Sequence, residues 1–149
     1  MSKLPLPMQT QAVQSLLRFA VRITPTRGAD AAAVRQFVGR FDDFLAQADL
    51  YFGGSPWLFV VRSDSRDLTV ADQVEILNWI LEDEIGASVA ISPLTRCVAD
   101  DLNEDSAWLL ANRHDLAVAA INWLYRWDRI DAGTFFRILA RGAFTNVHQ

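Results

Sequence analysis

Leu116-Ala117-Val118-Ala119-Ala120-Ile121-Asn122-Trp123-Leu124-Tyr125-Arg126-Trp127 is the longest apolar stretch of the sequence. Wound as a helix, with about 100° between successive residues, it keeps only Asn122 and Arg126, continued by Arg129, as a polar stripe. A helix apolar nearly all round belongs inside a protein. The segment therefore predicts a central hydrophobic helix near residues 114–127, with Trp123 and Trp127, four apart, stacked as core.

Working outward, helical spacing recurs. Val13, Leu16, Leu17, Ala20 and Thr24 follow the i, i+3, i+4, i+7 pattern until Pro25 and Gly28 interrupt it. Asp30 suits the N-cap of a second helix with the stripe Val34, Phe37, Val38, Phe41, Phe44, Leu45, Ala48 and Phe52, ended by Gly53-Gly54. Ser55-Pro56 reads as an N-cap and first-turn pair opening a short helix over residues 57–61; the same five apolar residues also fit a short strand. Thr69 and Asp72 form a capping box for a helix running to about Glu84, with Gly86 as terminator. Ser92-Pro93 opens another, ending near Asn103, and Asp105 caps a short segment containing Trp108. A last helix covers residues 134–141 with Gly142 beyond its end. The expected architecture is one all-α domain over residues 1–149, a bundle of six to eight helices.

Composition is compatible with that. The 149 residues suffice for one domain with a substantial core, and a 51% hydrophobic content leaves apolar surface to spare for a homodimer. Cys97 is the only cysteine, which excludes an internal disulfide and favours a reducing compartment. No stretch reads as a signal peptide or a membrane span, so a cytoplasmic protein is expected.

Charge is strongly segregated. Residues 63–105 carry eleven carboxylates against Arg66 and Arg96, a net of −9 in a chain whose total is −4. On the helix from Val70, Trp79 is four residues from Glu75 and Asp83, three from Glu82 and seven from Asp72, so four carboxylates share its side. An indole ringed by carboxylates suits an arginine-rich surface through cation–π and charge-assisted contacts. The opposing reading covers Trp79 with a neighbouring helix and turns the acids toward Arg126, Arg129, Arg137 and Arg141.

Asp72 with Glu75, and Asp101 with Glu104, are pairs three apart separated by about a helical hairpin. That arrangement resembles the paired acidic motifs of the all-α nucleoside triphosphate pyrophosphatases, although Asp72 stands where a Glu is usual. The resemblance implies Mg²⁺ held by these four residues and bridging substrate phosphates. His114-Asp115 is similar to the dipeptide of the helical HD phosphohydrolases, but no histidine precedes it to complete a metal site. Residues 130–141 have the flavour of a helix-turn-helix opening without a basic recognition helix after it, and the acidic centre repels duplex DNA. No nucleophile elbow or phosphate loop is present, and Cys97 has no base near it in sequence.

The reading favoured by the sequence is a non-catalytic binding module without a cofactor. Trp79, Asp72, Glu75, Glu82 and Asp83 would dock a basic partner, such as a nuclease or nucleic-acid-binding complex, in the manner of inhibitors, immunity proteins or nucleic-acid mimics. The alternatives are the Mg²⁺-dependent pyrophosphatase-like enzyme and a purely structural subunit.

Overall fold

Five strands and four helices make up the computed structural model, which describes residues 16–96 and 108–147. In chain order they are β1 (Phe19–Pro25), α1 (Ala31–Gln47), β2 (Tyr51–Ser55), β3 (Leu58–Arg62), α2 (Val70–Glu82), β4 (Gly86–Ile91), β5 (Leu109–Asn112), α3 (Leu116–Arg126) and α4 (Ala132–Val147). The strands form one antiparallel sheet in the order β2-β3-β1-β4-β5. The all-α bundle of six to eight helices is thus incorrect, and the chain is an α/β structure. Among the described residues, no helix is long and apolar enough to cross a membrane.

The first misread segment shows why. Ala20 and Thr24 lie on a helical stripe, but Phe19, Val21 and Ile23 alternate with Ala20, Arg22 and Thr24 at period two. The second pattern prevails because β1 has partners on both sides. Val21 pairs with Phe59 of β3 and with Ile91 of β4, residues far away in sequence. Phe19, Val21 and Ile23 enter the core beside Phe59, Val61, Val89, Ile91 and Ala111 from the neighbouring strands.

Ser55-Pro56 likewise serves a hairpin rather than a helix. Ser55 Oγ accepts from the amides of Trp57 and Leu58, while Ser55 and Leu58 pair across the turn. Serine before proline suits the first two positions of a tight turn as well as a helix start. The short strand over 57–61 was therefore the correct alternative, observed as β3. Gly54 is required here, because its φ is +127° and a Cβ would lie 2.7 Å from the Leu58 carbonyl oxygen. Gly54→Ala should lower stability by about 1–3 kcal/mol, seen as a reduced midpoint in urea unfolding; an unchanged midpoint would mean the hairpin can open without consequence.

The helix signals fared better. Asp30 accepts from the Ala33 amide and starts α1 as expected, but that helix stops at Gln47 and Phe52 belongs to β2. Thr69 and Asp72 form the reciprocal capping box of α2. Gly86 does not end that helix; it opens β4, where its missing side chain makes room for Ile23. Ser92-Pro93 leads into extended chain with a bridge from Thr95 to Arg18, not into a helix, and the rest of that prediction lies outside the described residues. Trp108 immediately precedes β5, and α4 continues through Gly142 to Val147.

The helices line the side of the sheet that carries Phe19, Val21 and Ile23. Helix α1 covers β2, α2 lies on β4, α4 lies on β5 and against α2, and α3 packs on α4. The predicted central helix is therefore peripheral. Its inner side, Val118 and Ile121, reaches the core beside Phe135 and Leu139. Its other side does not.

Candidate functional site

Helix α1 decides the setting of Trp79. Phe37, Phe41 and Phe44 recur along the face of α1 turned toward α2, and all three contact the indole, with centroids at 5.8, 5.3 and 5.0 Å. Phe44 and Trp79 lie nearly parallel, 16° apart. Phe41 continues the aromatic chain to Phe52 and Phe59 on the sheet. Trp79 is half-buried at the seam between α1 and α2, against the rings of Phe37, Phe41 and Phe44. Phenylalanine at three- and four-residue intervals was visible in the sequence; its partner was not, because the stripe fits any apolar surface.

The four carboxylates meet groups of their own chain. Asp72 accepts from both terminal nitrogens of Arg66 at 2.7 and 3.0 Å and from the Thr69 amide at 2.8 Å. Burial alone would raise its pKa, but Arg66 and the Thr69 amide outweigh that and hold the carboxyl below its ordinary value. Asp83 forms a two-pronged pair with Arg40, its nearest contact 2.8 Å. Glu82 pairs with Arg126 of α3. Glu75 accepts from the Tyr125 hydroxyl at 2.7 Å. Burial first, then this bond to a carboxylate, pushes the Tyr125 phenol up to about 12. Among the described residues, Glu75 is thus the one carboxylate of the four whose side-chain partner is uncharged.

Glu75 and Asp72 stand at the edge of a recess of about 200 Å³ between the C-terminal end of α1 and the first turns of α2. Phe44, Leu45, Leu50 and Ile76 supply its apolar lining. A recess with an apolar floor and an anionic rim can take the stem of a long basic side chain along its wall and the charged head at its edge. A second, more polar recess of about 330 Å³ lies at the other end of α1, between Thr26, Arg27, Gln36, Arg40 and Asp83. There Arg40 and Asp83 already satisfy each other.

Metal ligation gains no geometric support. Among the described residues, no three His, Cys, Asp or Glu side chains cluster closely enough to hold an ion. Asp72 is committed to Arg66 and the α2 cap, while Asp101 and Glu104, like Asp100, Asp105 and Cys97, lie outside the described residues. Asp115 caps α3 by accepting from the Ala117 amide at 2.9 Å, and His114 is exposed in the preceding turn.

One surface escaped the sequence reading. Trp123 and Trp127 do meet, with centroids 4.9 Å apart, but their planes are tilted by 44° instead of stacked, and they remain 63% and 61% exposed on the outside of α3, with Leu116 85% exposed. All-round apolarity suggested a helix buried in the middle of the protein, but this chain covers only the side that carries Val118 and Ile121. Compared with known protein families, curated proteins and solved structures, the chain shows no match.

Proposed function

We propose that this chain is a non-catalytic protein-binding module that docks a basic segment of a partner in the seam between α1 and α2. The observation that carries the reading is the position of Glu75, a carboxylate without a cation of its own among the described residues, at the edge of an apolar recess. The −9 charge of residues 63–105 draws a basic surface inward. An arginine or lysine stem then lies against Phe44, Leu45 and Ile76, and its head group meets Glu75. Trp79 is a support rather than an exposed anchor in this scheme, since it holds Phe44 by stacking. The partner class is a basic, nucleic-acid-handling protein, and the lone Cys97 supports a reducing, cytoplasmic setting.

An arginine-rich peptide is the probe. Calorimetric titration should give saturable binding that weakens about 10-fold or more between about 50 and 300 mM salt, as expected for charge-dominated association. Absence of binding at the lower salt concentration would refute the proposal.

A further inference from the structure

The outer face of α3 has a composition that matches itself. Leu116, Ala120, Trp123 and Trp127 succeed one another at intervals of four, three and four residues, the spacing of a helix-pairing seam. They lie opposite Val118 and Ile121, which are buried on the inner side of the same helix. All four are exposed, and Leu124 extends the apolar surface along one flank. Taking about 250 Å² for a whole tryptophan, the exposed parts of these side chains come to roughly 600 Å². That is the upper end of the largest apolar patch on an ordinary monomer, roughly 300–600 Å². It approaches the roughly 800 Å² per partner of a standard interface before any polar rim is counted.

We infer that two copies of the chain associate across a twofold axis through the outer faces of their α3 helices, running antiparallel. The order of side chains favours a second copy over an unrelated partner. In an antiparallel pair centred between Ala120 and Trp123, each Trp123 falls opposite the Ala120 of the other copy, and each Trp127 falls opposite its Leu116. Large therefore meets small at the centre, where two indoles would otherwise collide, and the small Ala120 admits the facing helix closely. A twofold interface demands such self-complementarity, because each contact occurs twice. Arg126 lies on the flank, paired with Glu82 of its own chain, and does not interrupt the seam. This interface is separate from the α1–α2 recess, so either proposal can fail alone.

Sedimentation velocity on the full chain tests it. The expected species at micromolar concentration has twice the 16.7 kDa chain mass. Ala120→Arg puts a charge at the centre of the seam and should weaken dimerisation at least about 100-fold, given the cost of burying an unpaired charge. Trp123→Ala should weaken it at least about 10-fold. Both positions are exposed in the single chain, so circular dichroism and melting of the variant monomers should remain those of a folded protein. A monomer at all concentrations up to about 1 mM would overturn the inference, including one whose tryptophans are shielded from quencher by another segment of its own chain. Undiminished dimerisation of both variants would overturn it equally, since the copies would then be meeting elsewhere.

Discussion

Phe41→Ala should destabilise the protein by about 3–5 kcal/mol, one of the largest effects expected of a single truncation among the described residues. Phe41 is fully buried and lies within 5.3–6.4 Å, centroid to centroid, of Phe44, Phe52, Phe59 and Trp79, with Phe37 stacked on it at 5.6 Å. Its ring ties α1 to α2 and to the β2–β3 hairpin at once. Truncation removes the transfer free energy of the ring and leaves a cavity that rings from four elements cannot easily fill together. Domains of this size have a total stability of about 5–15 kcal/mol, so much of the margin would disappear. Urea unfolding of Phe41→Ala against the parent measures the difference. A loss below about 1 kcal/mol would mean that the aromatic cluster is loosely packed and that α1 does not hold Trp79 in place.

Asp72→Ala should cost about 3 kcal/mol at neutral pH, and the loss should depend on pH. The carboxylate closes the capping box of α2 and holds Arg66 through two nitrogens. A lost cap is worth about 1 kcal/mol, and hydrogen bonds to charged groups about 1.5–3 kcal/mol. The sign of the pH effect follows from the lowered pKa of Asp72 in the folded protein. Unfolding returns the group to about 3.9, so its ionisation stabilises the fold at pH above that value. The contribution is lost as pH falls through the folded pKa. The gap between parent and Asp72→Ala should therefore narrow from about pH 5 to about pH 2. A gap independent of pH over that range would show that the cap geometry matters and the charge does not.

Local features were legible in the sequence. Asp30 as N-cap, the Thr69–Asp72 box and the apolar faces of α1 and α2 all depend on neighbours within a few residues, and the structure has them. The sheet was not legible, because its strands find partners at a distance. Residues 19–25 satisfy both a helical and an alternating pattern, and only the pairing of Val21 with Phe59 and Ile91 decides between them. Ser55-Pro56 is ambiguous for a similar reason, as its hydrogen-bonding capacity fits a turn or a helix start.

At the candidate site, the shared side of Asp72, Glu75, Glu82 and Asp83 could be read from spacing on α2. Of their partners, only Arg126, which pairs with Glu82, was among the residues named from the sequence. Arg40, Arg66 and Tyr125 come from α1, from the loop before α2 and from α3, and only the fold brings them to the acids. The exposed tryptophans of α3 show the same limit, since a sequence reveals that a surface needs cover without revealing whether the chain supplies it.

The central claim is that a basic segment docks at Glu75, and comparing two variants of equal charge tests it most directly. Glu75→Gln and Glu84→Gln each remove one negative charge, but Glu84 is exposed beyond the end of α2, outside the recess. The amide introduced by Glu75→Gln keeps a carbonyl oxygen that can accept from the Tyr125 hydroxyl, so the fold should be retained. Titrated with the same arginine-rich peptide, Glu75→Gln should weaken binding about 10-fold, against about 2-fold or less for Glu84→Gln. Equal losses in the two variants would contradict the claim, because the peptide would then be responding to net charge and not to this site.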